Sequence, residues 1–126
     1  MTEPEIFDKI ISDRGSRYAV SGGPVSDRDQ AVAFIAALRR NKRFAKATHH
    51  SWAAILNGEP VRNDDGESGA GQIIAQMLDR EGLEGHIVVV TRWYGGKHLG
   101  GDRFRHVADA VRHYLAHRRD APAGRG

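Results

Sequence analysis

The sequence contains no cysteine among its 126 residues. Disulfide bonds, thiolate metal sites and a cysteine nucleophile are therefore excluded for this chain. It also lacks an apolar run of the length that a membrane span requires, and it shows no basic-then-apolar leader at its start. From these absences we expect a cytoplasmic protein.

Neither sign of charge dominates the chain, because it has 19 Lys and Arg and 16 Asp and Glu. Its net charge is +3. So small a basic excess permits a nucleic-acid partner without requiring one. The apolar share of 40% is sufficient for one hydrophobic core at this length. We expect a single domain over residues 1–120, followed by a disordered tail over residues 121–126.

Hydrophobic periodicity predicts most of the regular structure. Strands are predicted over residues 17–21, 47–56, 59–63 and 87–92, and helices over residues 27–40, 69–81 and from Asp102 onward. Residues 7–12 fit a strand or a short helix, and the pattern does not decide between them. Ser26 and Asp102 are the predicted N-caps of their helices, and Gly82 is a predicted left-handed stop. Asn57-Gly58 favours a two-residue hairpin turn, and Pro60 places the return strand at a sheet edge.

The order of these elements is strand, helix, hairpin, helix, strand, helix. This order favours an α+β two-layer sandwich. We expect about four strands in a mixed or antiparallel sheet, with the helices on one face.

The most distinctive segment, residues 91–102, follows the apolar run Ile87-Val88-Val89-Val90. A cation beside two aromatics, as in Arg92-Trp93-Tyr94, is typical of a recognition surface. Gly95 and Gly100 have the spacing of a phosphate-binding loop. However, Gly101-Asp102 stands where that loop needs lysine and a hydroxyl residue. A nucleotide-hydrolysing loop is therefore not favoured. The structural alternative is that these glycines occupy positions of positive φ in a tight connection between two elements.

An acidic turn, defined by Asp64, Asp65 and Glu67, precedes the second predicted helix. Paired carboxylates suit a metal or acid–base chemistry, whereas acids near a helix start also stabilise the turn and the helix. The spacing is not that of an EF-hand, so the structural role is favoured. An ion pair to Arg92 or Arg103 is an intermediate possibility. His49 and His50 are neighbours on a strand and point to opposite faces, so a shared metal is not expected.

A basic run without acids ends the first predicted helix. It consists of Arg39, Arg40, Lys42, Arg43 and Lys46. A solvated helix end is the favoured interpretation, and contact with RNA phosphates is the functional alternative.

Several short motifs occur together and in one order along residues 11–116. They are Asp13-Arg14-Gly15-Ser16, Ala47-Thr48-His49-His50, Asp64-Asp65-Gly66-Glu67, Arg92-Trp93-Tyr94-Gly95-Gly96 with Leu99-Gly100, and Asp102-Arg103-Phe104 with His106. In this set the chain resembles the ancient domain of the IMPACT family. Tyr94 before the glycine pair and Asp102 after the loop are closer to the eukaryotic pattern than to the bacterial YigZ-like pattern.

The resemblance implies a fold like the second domain of a small-subunit ribosomal protein and like domain IV of elongation factor G. It also implies a link to translation. Eukaryotic relatives dampen the general-control response to amino-acid starvation by competing for a kinase activator, without catalysis. Longer relatives carry a further domain to which much of that competition is tied.

From the residues and the resemblance we predict a non-enzymatic binding module linked to translation or stress control, without cofactor or metal. Its expected partner is a protein of that machinery, with RNA or the ribosome also possible. The predicted partner-binding residues are Asp64, Asp65, Glu67, Arg92, Trp93, Tyr94, Gly95, Gly96, Lys97, His98, Asp102 and Arg103. One alternative is RNA or ribosome binding through residues 39–46. A second alternative is a metal-dependent enzyme that uses Asp64 and Asp65.

Overall fold

The computed structural model describes residues 3–119, so the predicted tail over residues 121–126 lies outside the described residues. The strands are β1 (Glu5–Asp13), β2 (Ser16–Pro24), β3 (His49–Leu56), β4 (Glu59–Asn63) and β5 (His86–Trp93). The helices are α1 (Arg28–Leu38), α2 (Lys42–Ala45), α3 (Ala70–Glu81) and α4 (Asp102–His117).

The five strands form one sheet in the order β1-β2-β5-β3-β4, and every neighbouring pair is antiparallel. The predicted α+β class with an antiparallel sheet is confirmed. The sheet has one strand more than expected, because the undecided residues near the start pair with β2 as β1. The predicted edge position of Pro60 is also confirmed, since β4 borders β3 alone.

The central strand β5 is buried on both faces, as a run of four β-branched residues predicts. Val88 and Val90 face α3 and α4 in one core cluster. Ile87 and Val89 face α1 and α2 in a second cluster on the other side. α3 and α4 form the helical layer on one face, whereas α1, expected in the same layer, packs on the opposite face. Two shorter helices cover the opposite face, because that side of the sheet is apolar as well.

Helix ends differ from the predictions at two N-termini. The N-cap of α1 is Asp27 rather than Ser26, and its carboxylate accepts a hydrogen bond from the Gln30 amide. The prediction of Asp102 as a cap is wrong, because Asp102 is the first residue of α4 and Gly101 precedes it without a side-chain cap. The predicted stop at Gly82 is confirmed by its φ of 70°.

The predicted hairpin is confirmed, since Asn57 and Gly58 have φ values of 53° and 78° between β3 and β4. Positive φ at both central residues is the requirement of the type I′ turn that this dipeptide favours. Within residues 3–119, none of the helices is both long enough and apolar enough to cross a bilayer.

Candidate functional site

The antiparallel sheet brings three distant chain segments to one end. The C-terminal end of β5 lies beside the start of β2 and the start of β3. The glycine-rich loop after β5 therefore lies near the turn between β1 and β2. The acidic turn, which runs from β4 to α3, reaches the same end along β3.

A buried ion pair joins the acidic turn to β5. The Arg92 guanidinium donates through Nη1 to both carboxylate oxygens of Glu67, at 2.9 and 3.1 Å. Arg92 is 5% exposed and Glu67 3% exposed. The predicted ion pair between the acidic turn and Arg92 is therefore present, and the carboxylate that forms it is that of Glu67. Breaking such a pair leaves a charge buried without compensation, which is costly.

Ser16 completes this cluster from β2. Its hydroxyl oxygen accepts hydrogen bonds from Nε and Nη2 of Arg92, at 3.4 and 3.3 Å, and from the Gly95 amide at 3.2 Å. Ser16 is fully buried. We define the Arg92 clamp as Arg92, Glu67 and Ser16. Ser16 is not among the predicted site residues, and its only signal in the sequence is its place in the first family motif.

The clamp holds the glycine-rich loop directly against the β1–β2 turn. A side chain on Gly95 would place its Cβ 2.0 Å from the Gly15 carbonyl carbon and 2.4 Å from the Ser16 amide nitrogen. Gly15 has a φ of 85°, where glycine is favoured. The structural alternative of positive φ holds at Gly96 and Gly100, whose φ values are 90° and 56°. Gly95 is required for another reason, because close backbone approach leaves no room for a side chain.

The two aspartates of the acidic turn have structural roles. Both carboxylate oxygens of Asp64 accept backbone hydrogen bonds, from Gly69 at 3.0 Å and Gly71 at 2.7 Å, at the start of α3. Asp65 accepts from the His50 amide at 2.7 Å. Within the described part of the chain there is no group of three or more His, Cys, Asp or Glu that could hold a metal ion. The carboxylates of Asp64 and Asp65 therefore organise the backbone around them.

His49 and His50 point to opposite faces of the sheet, as predicted from their adjacency. His49 lies on the Arg92 face, with Nδ1 2.7 Å from the Asp65 carbonyl oxygen and Nε2 3.7 Å from Glu67. His50 is buried on the other face between the Thr91 hydroxyl and the Phe44 carbonyl oxygen, at 2.9 Å from each. His50 thus links β3 to β5 and α2.

Burial lowers the pKa of the His50 imidazole below 6.5, and the charge of Arg39 lowers it further, against the opposing hydrogen bond to Phe44. As pH falls through 6.5, the unfolded chain therefore takes up a proton before the folded chain does. We expect stability to decrease below about pH 6.5, by at most about 1.4 kcal/mol per pH unit from this group. Denaturant unfolding on both sides of pH 6.5 measures this slope.

The matched variants are His50→Gln and His98→Gln, since His98 is exposed. His50→Gln should reduce the dependence of the unfolding free energy on pH more than the exposed-site variant His98→Gln does. The unfolding free energy of His50→Gln should still depend on pH, because burial also lowers the pKa of His113. An unchanged slope in His50→Gln would contradict the assignment.

A pocket of about 380 Å³ opens above the Arg92 clamp. It is lined by Thr48, His49, Gly66, Glu67, Arg92, Tyr94, His98, Leu99, Gly100 and Arg103. Tyr94 is 43% exposed, and its ring lies 5.8 Å from that of His98. Arg103 approaches Glu67 with its Nε at 3.9 Å. The accessible wall of the pocket therefore consists of aromatic and cationic groups around one buried carboxylate.

A second polar cluster ties the β1–β2 turn to α4. Asp13 accepts hydrogen bonds from Arg14 and from His106, and these lower its pKa to about 2. Arg14 also pairs with Asp102. The predicted partner-binding residue Asp102 is thereby engaged within the molecule. Asp13, Arg14 and His106 were not selected as site residues, although all three belong to the family motifs.

Trp93 does not lie beside Tyr94, although the sequence grouped them. Alternation along β5 directs Trp93 to the α2 face, where its Nε1 donates to the Arg43 carbonyl oxygen at 3.0 Å. Tyr94 follows the strand, and its amide donates to the Thr48 hydroxyl. Gly96 has a φ of 90°, and Lys97 is exposed. The predicted residues are therefore divided between two surfaces that flank the end of β5.

A larger cavity, of about 820 Å³, lies elsewhere. It opens at the opposite end of the sheet, between α1 and the β3–β4 turn, and Phe34, Leu56 and Asn57 are among its lining residues. It does not include any residue of the family motifs. The family motifs therefore converge at the end of the sheet opposite to this larger cavity.

Comparison with known proteins gives the family. The model of the Impact N-terminal domain matches residues 14–115. Protein IMPACT homolog of Caenorhabditis elegans is 33% identical over 86% of this chain and 45% of its own length. Protein IMPACT of Rattus norvegicus is 36% identical over 83% of this chain and 35% of its own length. The chain thus spans less than half the length of these curated relatives.

A solved crystal structure of a protein described only as hypothetical aligns with a TM-score of 0.76. The alignment covers 92% of this chain and 62% of that chain, at 23% sequence identity. This likeness concerns the fold alone. Residues of all five motifs that carry the resemblance meet at the clamped end of the sheet, namely Ser16, His49, Glu67, Arg92 and Arg103. The chain belongs to the family of the Impact N-terminal domain.

Proposed function

We propose that this chain is a single IMPACT-type domain over residues 1–120. In this proposal it acts as a non-enzymatic binding module in the cytoplasm. Its partner is a protein of the translation or stress-response machinery. Family membership supports the link to translation, through the role that the resemblance implies for longer eukaryotic relatives.

The observation that carries the proposal is the Arg92 clamp. Burial of Arg92 and Glu67 and their hydrogen bonds to one another fix the acidic turn and the glycine-rich loop in one arrangement. A surface that is rigid before binding loses less conformational entropy when a partner docks. The clamp is therefore suited to hold neighbouring side chains in place for a partner. Its own atoms are buried.

The contact residues are the exposed groups around the pocket. Tyr94 and Arg103 belong to the residue types that dominate binding energy in protein interfaces. Phe104 is 37% exposed, and the Arg103 guanidinium lies 4.8 Å from the centre of its ring. His98 lines the same pocket, and Lys97, the residue before it, is exposed. Asp64, Asp65 and Glu67 shape this surface through contacts inside the molecule.

A metal-dependent enzyme built on Asp64 and Asp65 is less well supported. Both oxygens of Asp64 and one oxygen of Asp65 already accept backbone hydrogen bonds. A metal bound to these oxygens would compete for the carboxylates with the amide donors of Gly69, Gly71 and His50. The geometry therefore favours binding over catalysis.

Quantitative affinity capture from the cytosol of the source organism tests the proposal. We expect proteins of the translation machinery to be enriched on the wild-type chain. Tyr94→Ala and Arg103→Ala should each weaken that capture by about 30-fold, the effect of losing roughly 2 kcal/mol of binding free energy.

The matched control is Arg112→Ala, since Arg112 lies on α4 in an exposed ion pair with Asp109. This control should capture the same partners as the wild type. Circular dichroism checks that each variant is folded. If folded Tyr94→Ala and Arg103→Ala retain the full capture, the proposed contact surface is wrong.

A further inference from the structure

A second pocket lies on the other side of the end of β5. It has a volume of about 280 Å³ and is lined by Gly15, Arg17, Arg43, Lys46 and Trp93. Three of these five residues are cations, one is aromatic, and none is acidic. This composition differs from that of the pocket above the Arg92 clamp, where Glu67 is central.

The cations are brought together by tertiary structure. Arg17 lies directly across from Trp93 in the register of β2 and β5. The Arg43 guanidinium lies 4.0 Å from the centre of the Trp93 ring. Lys46 directly follows α2, and its amide donates a hydrogen bond to the Arg43 carbonyl oxygen. The indole of Trp93 therefore forms a wall around which the three positive groups meet.

The positive charge of this pocket is poorly neutralised within the molecule. Arg43 pairs with Asp8. Across the described residues, Arg17 and Lys46 have no carboxylate within salt-bridge distance, and both are exposed. Lys42 on α2 and Arg40 just before it are likewise unpaired in that part of the chain. Positive charge concentrated in a concave surface attracts anions.

We propose that this pocket binds a backbone phosphate of single-stranded RNA, independently of the protein-binding surface around Tyr94. The three cations that line the pocket suit a phosphate group, and its volume of about 280 Å³ has room for one. A basic groove with an aromatic wall is the usual way in which proteins hold single strands without sequence preference. Lys42 and Arg40 then provide contacts for the neighbouring phosphates.

Titration of a short, labelled, mixed-sequence single-stranded RNA, followed by fluorescence anisotropy, tests the proposal. The double variant Arg17→Glu/Lys46→Glu should weaken binding at least about tenfold. Its slope of log affinity against log salt should be smaller in magnitude by about 0.7, which corresponds to the loss of the one phosphate contact that the pocket provides. RNA should also change the emission of Trp93, while Trp52 is 5% exposed in the core.

The matched control is Arg62→Glu/Arg80→Glu, which makes the same change in net charge at exposed positions on β4 and α3. It should bind RNA almost as the wild type does. If the charge-reversal variant fails to fold, Arg17→Gln/Lys46→Gln replaces it, with a smaller loss of the same sign expected.

Four outcomes overturn the proposal. They are no RNA binding by the wild type, equal losses in the variant and the control, competition by polyglutamate as effective as that by RNA, and duplex RNA bound as tightly as the single strand. Binding by the wild type and the control with selective loss in the variant supports it. The protein-capture experiment with Tyr94→Ala is read separately, because Tyr94 is absent from this pocket.

Discussion

Replacement of Glu67 by alanine is expected to lower the free energy of unfolding by about 3–5 kcal/mol. The change removes the only carboxylate that the described residues place within 4.0 Å of the buried Arg92 guanidinium. Arg92 is 5% exposed, so its charge would remain buried with only the Ser16 hydroxyl oxygen as an acceptor. Urea denaturation followed by circular dichroism measures the loss.

Asp109→Ala is the matched control, because Asp109 belongs to an exposed ion pair with Arg112 on α4. Exposed pairs contribute at most about 1 kcal/mol. The double variant Glu67→Gln/Arg92→Met should lose less than the sum of the two single changes, since each group matters chiefly through the other. A cost for Glu67→Ala no larger than that for Asp109→Ala would show that the clamp does not stabilise the fold.

Gly95→Ala is expected to destabilise the protein by at least about 3 kcal/mol, or to displace the glycine-rich loop from the β1–β2 turn. The added Cβ would lie 2.0 to 2.4 Å from backbone atoms of Gly15 and Ser16, which cannot move aside as a flexible side chain can. Displacement would also break the bond from the Gly95 amide to Ser16. Thermal or denaturant unfolding measures the effect.

Gly101→Ala provides the control for this substitution. Gly101 has a φ of −67°, and a Cβ there would meet no atom within 4 Å. The change should be neutral or stabilising by up to about 1 kcal/mol, since alanine restricts the unfolded chain more than glycine does. Equal effects at Gly95 and Gly101 would contradict the close approach of the two backbones.

These two predictions separate residues that position the surface from residues that can touch a partner. Arg92, Glu67 and Gly95 act through the fold, so their variants lose binding together with stability. Tyr94 and Arg103 are accessible, so their variants should lose binding while they keep the fold. A mutational study that treats the whole set as contacts would therefore confuse the two effects.

Local chemistry made much of the secondary structure predictable. Asn57-Gly58 specifies its hairpin because both residues tolerate positive φ, and Gly82 specifies the end of α3 for the same reason. The continuous apolar run Ile87–Val90 specifies a strand that is buried on both faces. Residues 7–12 were undecided because a strand at a sheet edge depends on its pairing with β2, which lies beyond local sequence.

The candidate site was predictable in outline but not in its roles. The sequence identified the acidic turn and the glycine-rich loop, and it allowed an ion pair between them. It did not distinguish Glu67, which pairs with Arg92, from Asp64, which binds the start of α3. It also grouped Trp93 with Tyr94, because the two residues are adjacent in the sequence. Strand alternation directs their side chains to different surfaces.

The sequence by itself determined the family, the class of fold, and the segments that carry the distinctive residues, because these depend on composition, periodicity and short motifs. Tertiary structure alone decided which charges meet. Ser16 and Arg92 are 76 residues apart, and Arg43 and Trp93 are 50 residues apart. Their contacts follow from strand order and register, which arise when the two faces of one sheet are buried together.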